Sequence, residues 1–498
     1  MELDLGQLFR PRYSGVSGWR RMPALAAQAM ISTSHPLASE AGLRALRDGG
    51  NAVDAALAAA TVLTVAEPTD NGLGGDAFAL VWDGERLHGL NGSGRSPSRL
   101  EVHEVAETGP RSVTVPGAVA AWSDLAERFG RFGLDRALAL AAGLAREGVA
   151  CSARIADKWA RSTHPPRPAP AIGERYCLSE LAQTLELLVA QGPEAFYAGP
   201  VARAIAASSW LGEEDLAAHA SEWVDPLRLD YRGVEVCELP PNGQGAAALL
   251  ALALYDGLEP GLHSQLEAMK LAFADCHAYL GDGPLPPELL DTDHLALRRA
   301  LVRVDAALVP EPSRLPRGAT TYLCAVDGDG MAVSLIQSLY GTFGSGVVAG
   351  TTGIVLQNRA AGFVEDPDHP NGLRPGARPF HTIIPGMLLE GGRLLGPFGV
   401  MGGPMQPQGH VQLVLRLVDH ADDPQAALDA PRWRVEPGRV VELEPGLWDS
   451  EDELRALGHD VRRATVQHPF GVGQAIVRYG DALVGGSDGR GDGYAAGF

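Results

Sequence analysis

From Leu37 to Ala66 small apolar residues recur every three or four positions. Ala38, Ala41 and Ala45 line up with Leu46 beside them, Gly49-Gly50 interrupts, and an Ala-rich run from Ala52 to Thr64 resumes the pattern. This spacing predicts two packed helices, because a 3.6-residue period places such residues on one stripe and a glycine pair readily ends a helix. The Gly-rich stretch Asn71 to Gly75 leads into Ala77 to Trp82, a short apolar run expected to be a buried strand. Helical patterns return from Pro116 to Arg146, from Ser179 to Ala207, and from His263 to Leu280, where Leu266, Met269, Phe273 and Ala274 share a face. The first 310 residues are therefore expected to be mostly helical.

The pattern changes near Pro310. A stretch rich in Pro and Arg, Glu311 to Gly318, has the character of an exposed linker. Beyond it come strand-like runs at Tyr322 to Val326, Met331 to Ile336, Gly353 to Leu356 and Ile383 to Leu389, with helical patterns only at Gln408 to Val418 and Asp449 to Leu457. A helix-rich block and a strand-rich block that each lack closure predict one layered α+β fold rather than two independent domains.

Composition narrows the function classes. The 498 residues carry 41 Lys and Arg against 61 Asp and Glu, a formal charge of −20, which disfavours nucleic acid as a partner. Only two lysines occur, Lys158 and Lys270, and neither closes a phosphate-binding P-loop. The five cysteines form no C-x-x-C pair, so neither a disulfide framework nor a zinc site is expected. No H-E-x-x-H spacing occurs, and no metal or other cofactor is expected. The short apolar stretch Met22 to Ile31 after Arg20 and Arg21 is interrupted by Pro23 and Gln28 and does not read as a signal peptide. The longest apolar runs fall short of the roughly 20 residues of a membrane span, so a soluble, cytoplasmic protein without membrane partners is expected.

Two catalytic-looking strings read as ordinary turns. Gly485-Gly486-Ser487-Asp488-Gly489 matches G-x-S-x-G, but too few residues follow to form the helix of a nucleophile elbow. Gly344-Ser345-Gly346-Val347-Val348-Ala349 resembles a dinucleotide fingerprint, but a strand-like stretch follows where the helix should begin.

The junction Arg317-Gly318-Ala319-Thr320-Thr321-Tyr322 places a Thr where an exposed linker enters a strand, which alone is unremarkable. Its surroundings are not. The segments ISTSHPLASEAGLRALRDGGNAVDAA (Ile31 to Ala56), EPTDNGLGGDAF (Glu67 to Phe78) and VPGAVAAW (Val115 to Trp122) precede it, followed by LPPNGQG (Leu239 to Gly245) and EAMKLAFAD (Glu267 to Asp275). TTYLCAVDGDGMAVS (Thr320 to Ser334), FGSGVVAGTTGIVLQN (Phe343 to Asn358), RPFHTIIP (Arg378 to Pro385) and GVMGGPMQPQGH (Gly399 to His410) complete the series. In order and content these motifs resemble the gamma-glutamyltranspeptidase family of N-terminal nucleophile hydrolases over essentially the whole chain.

The resemblance implies a four-layer αββα fold and a precursor that cuts itself between Ala319 and Thr320. The products would be a heavy piece, residues 1–319, and a light piece, residues 320–498, forming one composite fold, with a homodimer or a dimer of heterodimers as the assemblies considered. Thr320 would be the nucleophile, with the new α-amine as its own base, since that group has an unperturbed pKa of about 7.7–8.0. Gly402 and Gly403 match the family's paired oxyanion-binding glycines, and Ser338 falls where the family has a Thr that hydrogen-bonds the nucleophile. The glutamate-gripping positions depart from the family. Its carboxylate-binding Arg falls on Ser93 and its ammonium-binding Asp on Gly362. Its paired serines fall on His381 and Thr382, an Asn on Tyr340, and a Gln on Arg359. An acyl group that carries a carboxylate but no α-amino group is expected, oxamate-like or glutaryl-like, as in the divergent gamma-glutamyltransferase-like branch. Arg359 and Arg95 are the candidates for the substrate carboxylate, and His381, Thr382 and Tyr340 for the pocket wall. A genuine gamma-glutamyltransferase or glutathione hydrolase, a specialised biosynthetic member, and a non-catalytic binding protein on the same fold stand as alternatives.

Overall fold

The computed structural model describes residues 21–101, 104–309, 319–465 and 470–498; the linker expected at Glu311 to Gly318 lies outside them. Two seven-stranded sheets, each antiparallel throughout, face one another. Their strands are β1 (Ala24–Ala26), β2 (Met30–Thr33), β3 (Asp76–Trp82), β4 (Leu87–Gly92), β5 (Glu222–Val224), β6 (Leu227–Tyr231) and β7 (Val234–Glu238), followed by β8 (Ala319–Val326), β9 (Ala332–Tyr340), β10 (Gly386–Glu390), β11 (Arg393–Met401), β12 (Val472–Tyr479), β13 (Ala482–Ser487) and β14 (Tyr494–Gly497). The first sheet runs β14-β2-β8-β9-β3-β4-β5 and the second β1-β13-β12-β11-β10-β7-β6. Each sheet mixes strands from before and after residue 320.

Three apolar clusters separate the four layers. Phe78, Tyr322, Cys324 and Ile336 from one sheet meet Met387, Leu389, Val472 and Ile476 from the other. The outer face of the first sheet is covered by α1 (Pro36–Arg47), α2 (Ala52–Ala66), α3 (Ala118–Phe129), α4 (Leu134–Glu147) and α5 (Ser179–Gln191). The outer face of the second is covered by α6 (Gly245–Asp256), α7 (Leu262–Tyr279) and α8 (Met405–Val418). Every residue of α2 is buried, consistent with its apolar character all round, and Asn51 with Asp54 forms a capping box at its start. The backbone N–H of Ala52 also donates to Asp327 Oδ2 at 2.9 Å, tying α2 to the turn after β8. This is the αββα arrangement expected.

The predicted helices are present, with Ser179 to Ala207 divided by Gly192-Pro193 and Gly199-Pro200 into three, while α6 and the helix Ala153–Arg161 were not anticipated. Three expectations need correction. The first 310 residues also supply seven strands of the two large sheets, several too short or too Gly-rich to stand out; β6 and β7 are joined by Arg232 and Gly233, both at positive φ. Gly353 to Leu356 is not a strand but makes isolated bridges, Val355 with Val348 and Leu356 with Gly74, and Gly353 turns at φ +70° where a Cβ would stand 2.5 Å from Leu181 N on α5. In the G-x-S-x-G string, Gly485 to Ser487 lie in β13, and only the residues after Asp488 turn. All five cysteines are free thiols, and no helix among the described residues is long and apolar enough to cross a membrane.

Candidate active site around Thr320

Thr320 occupies an irregularity in its own sheet. Ala319 pairs with Tyr340 and Thr321 with Gln337, so one residue of β8 faces two of β9, Ser338 and Leu339. Such a bulge takes a residue out of the regular ladder and re-aims its side chain, and Tyr340, at φ +73°, completes the distortion. Thr320 Oγ1 lies 3.4 Å from Ser338 Oγ, and Gln406 Nε2 donates to it at 3.4 Å. Gln406 sits in the first turn of α8 and is held by Ile384 N–H, which donates to its Oε1 at 3.0 Å.

Gly402 and Gly403 form the connection from β11 to α8, at φ +129° and +59°. A side chain is strained at both, so only glycine lets the chain turn here beside the start of a helix, where N–H groups and the helix dipole favour negative charge. Gln244 braces this turn, donating through Nε2 to Gly403 O at 2.9 Å and to Thr382 O at 2.6 Å.

Behind Ser338 lies a fully buried guanidinium. Arg359 donates through Nη2 to Ser338 Oγ at 3.2 Å and through Nη1 to Thr382 Oγ1 at 2.9 Å. Its charge lies 4.4 Å from the centre of the Tyr340 ring. Its Nε has no hydrogen-bond partner and stands 3.9 Å from Asp76 Oδ2. Burial pulls the Arg359 pKa down to about 10, which still leaves it charged at neutral pH. Asp76 pairs with Ser338 across β3 and β9. Its Oδ1 accepts from Gly94 N and Gly117 N, and its Oδ2 from His381 Nε2 at 3.0 Å. His381 is pushed down to about 4, first by burial and then by the nearby Arg359 charge, so it is the neutral imidazole that donates to Asp76.

The structure therefore gathers Thr320, Ser338, Tyr340, Arg359, His381, Thr382 and the Gly402-Gly403 turn. Arg95 is engaged elsewhere: 43% exposed in its side chain, it binds Asp282 Oδ2 at 3.0 Å, Gly376 O at 3.0 Å and Glu222 Oε1 at 3.2 Å. Asp76, Gln244 and Gln406 were not singled out from sequence, although each lies inside a quoted motif. His263, Glu267 and His459 bring donor atoms within 4.8 Å of one another, but Lys270 Nζ is 2.8 Å from Glu267 Oε1 and 3.2 Å from His459 Nδ1. An ammonium already supplies the positive charge there.

The departures at Ser93 and Gly362 are built into the packing. Ser93 is fully buried, its Oγ bonded to Asn91 Oδ1 at 2.8 Å, and its carbonyl accepts from Arg378 Nε. A Cβ at Gly362 would stand 2.9 Å from Phe380 O. Restoring the family pattern as Ser93→Arg with Gly362→Asp is thus expected to lower stability by about 3 kcal/mol or more without creating γ-glutamyl hydrolysis. Thermal unfolding together with a γ-glutamyl-p-nitroanilide assay checks both halves of that outcome.

Acid sensitivity follows from the histidines. His381, His219 and His277 are all lowered from 6.5 to about 4, in each case chiefly by burial. A histidine whose folded pKa is depressed favours the neutral form, so its contribution is present above pH 6.5 and lost as the pH falls towards 4. His381 alone contributes about 3 kcal/mol by this route. The unfolding midpoint is expected to be level between pH 8 and 6.5 and to fall below that. His277 lies between Phe273 and Phe380, so His277→Phe is expected to make the fall shallower, as measured by denaturant titration across pH.

Two facing antiparallel sheets between helices, with a hydroxyl residue near the start of a central strand, opposite a bulge in its neighbour and beside a glycine turn, define an N-terminal nucleophile hydrolase. The chain belongs to the gamma-glutamyltranspeptidase family, whose model matches residues 38–498. It is 36% identical to the glutathione hydrolase-like YwrD proenzyme of Bacillus subtilis, covering 94% of this chain and 98% of that one. It is 35% identical to the oxamate amidohydrolase proenzyme of Klebsiella pneumoniae, over 94% and 98% of the two chains. The crystal structure of cephalosporin acylase from Bacillus halodurans superposes with a TM-score of 0.92 at 42% identity, over 98% of this chain and 99% of that one.

Proposed function

We propose that the chain is a self-processing amidohydrolase that uses Thr320 to cleave a small amide bearing a carboxylate and lacking an α-amino group. The observation that carries this reading is the buried Arg359 beside Ser338 and Thr320, in a site that has Ser93 and Gly362 in place of the glutamate-gripping pair. In the precursor the Thr320 hydroxyl attacks the Ala319 carbonyl, and the resulting ester is opened by water. Residues 1–319 and 320–498 then remain as two pieces of one fold. The proenzyme names of the relatives accord with this step.

In the processed enzyme the α-amine of Thr320 takes the hydroxyl proton as Oγ1 attacks the substrate carbonyl. Ser338 and Gln406 hold Oγ1 in place. The N–H groups of the Gly402-Gly403 turn receive the developing oxyanion. The C–N bond breaks, the leaving amine departs with the transferred proton, and water hydrolyses the acyl-threonine to the free acid. Arg359 holds the substrate carboxylate through a charge-assisted fork, while Thr382, Tyr340 and the neutral His381 bound the pocket.

The test compares oxamate and glutaryl-p-nitroanilide with γ-glutamyl-p-nitroanilide on the purified, processed protein. Faster turnover of one or both carboxylated amides is expected. A clear preference for the γ-glutamyl compound would restore the gamma-glutamyltransferase reading and reject this one.

A further inference from the structure

The strand and the helix on either side of the Gly402-Gly403 turn are joined by one buried side chain. His410, on α8, accepts at Nε2 from the backbone N–H of Val400 on β11, at 3.1 Å. The pairing of β10 with β11 ends at Gly386 and Phe398, so Val400 lies two residues beyond the end of that ladder. Val400 is fully buried, and a buried N–H without an acceptor is costly. His410 supplies the acceptor that the neighbouring strand does not. It comes this close because Gly409 has no Cβ, which would stand 2.7 Å from Val400 Cγ1.

The ring is oriented from a third element. A backbone N–H can only donate, so Nε2 carries the lone pair and the imidazole proton sits on Nδ1. Nδ1–H donates to Glu238 Oε1 at 2.6 Å. Glu238 is the last residue of β7 and is fully buried, and Phe398 packs on the imidazole with ring centroids 4.9 Å apart. Glu238 thereby selects the tautomer that leaves Nε2 free to accept. The chain then runs on to Gln244, whose Nε2 donates to Gly403 O, so residues 238–244 hold the turn itself and, through His410, the strand before it.

We infer that His410 and Glu238 are positioning residues for the oxyanion site: Glu238 orients the imidazole, the imidazole fixes the end of β11, and the Gly402 and Gly403 N–H groups are held where negative charge develops. This rests on the oxyanion role proposed for that turn. Both side chains are fully buried and act through the backbone. Hydrogen bonds to an oxyanion strengthen in the transition state, so loosening the turn lowers kcat and kcat/KM together and leaves KM unchanged.

Two substitutions at His410 separate this role from plain stabilisation. Gln brings an amide oxygen near the Nε2 position and can accept from Val400, but it removes the donor to Glu238. Asn brings an amide nitrogen near the Nδ1 position and can donate to Glu238, but it leaves Val400 without an acceptor. Turnover is followed with whichever of oxamate, glutaryl-p-nitroanilide and γ-glutamyl-p-nitroanilide the wild type cleaves fastest, and rates are expressed per cut chain. His410→Asn is expected to lower kcat by about tenfold to a hundredfold at unchanged KM, and His410→Gln by no more than about threefold. Unfolding midpoints, taken at one protein concentration, are expected to fall in both. Losses of kcat that simply follow the midpoints, or a wild-type kcat in His410→Asn, would overturn the inference. Glu238→Met frees the ring without leaving a buried charge, and keeps the test open should both His410 variants fail to fold. An intermediate kcat is expected there, at a midpoint near that of the wild type; a wild-type kcat would overturn the assignment of Glu238. Gly402→Ala, strained at φ +129°, is the control for the underlying reading. A wild-type kcat in that variant would reject the oxyanion role of the turn, whereas a loss there beside an unaffected His410→Asn would reject the positioning role alone.

Discussion

Replacing Thr320 by alanine is expected to leave one uncut chain and to reduce amide hydrolysis by about 10⁴-fold or more, the scale seen when a hydrolase loses its nucleophile. Both losses come from one atom. In the proposed mechanism Oγ1 attacks the Ala319 carbonyl in the precursor and the substrate carbonyl afterwards, and neither Ser338 nor Thr321 is placed to substitute for it. Ser338 Oγ already accepts from Tyr340 N–H and Arg359, and the Thr321 hydroxyl makes its contact with Gln337 O. The hydrogen bonds of Oγ1 itself are long, so the substitution is expected to cost no more than about 1 kcal/mol of folding stability. A single cooperative unfolding transition in the uncut variant, independent of protein concentration, therefore separates chemical loss from misfolding. Thr320→Ser keeps the hydroxyl and is expected to retain cutting at a reduced rate. Denaturing gels and N-terminal sequencing of the smaller band give the readout, which should begin Thr-Thr-Tyr; two bands from the alanine variant would remove Thr320 from the mechanism.

Removing the guanidinium has the second large effect. Arg359→Met is expected to lower kcat/KM for a carboxylated amide by about 10²- to 10³-fold, as when one partner of a buried, hydrogen-bonded charge pair is truncated. Hydrolysis of an uncharged amide should change far less, and that contrast distinguishes substrate binding from general damage. The variant also leaves Asp76 without its facing positive charge, so some stability is lost as well. Arg359→Lys keeps a charge but not the planar fork, and is expected to fall between the wild type and Met. Comparison is made on processed protein, because Arg359 also donates to Ser338, the neighbour of the cutting hydroxyl. Equal losses on charged and uncharged substrates would contradict the assigned role.

Much of this was legible in the chain itself. The strands flanking Thr320, the helix after Gly402-Gly403 and a layered α+β fold follow from periodicity, and the αββα layering from the family resemblance. What could not be read was which arginine faces inward. Arg95 and Arg359 are chemically identical in sequence, and only the fold sends one to a surface cluster with Glu222 and Asp282 and buries the other against Asp76. The Asp76–His381 bond joins residues 305 positions apart, and no local pattern encodes such a pairing. Gln406 was hidden for a different reason: in a helical first turn it reads as ordinary, and its role appears only once the bulge at Thr320 brings that hydroxyl within reach.

The alternation of strands within each sheet has a thermodynamic consequence. In the first sheet β2 lies between β14 and β8, and β3 lies against β9, so strands from the two sides of residue 320 are hydrogen-bonded to one another. While the chain is continuous, folding is unimolecular and its equilibrium does not depend on concentration. Once the bond before Thr320 is cut, unfolding is also dissociation, the equilibrium constant acquires units of concentration, and dilution favours the separated pieces. Under the proposed cut, the continuous precursor is the form that assembles independently of concentration, and the processed form holds together only as long as its two pieces stay associated.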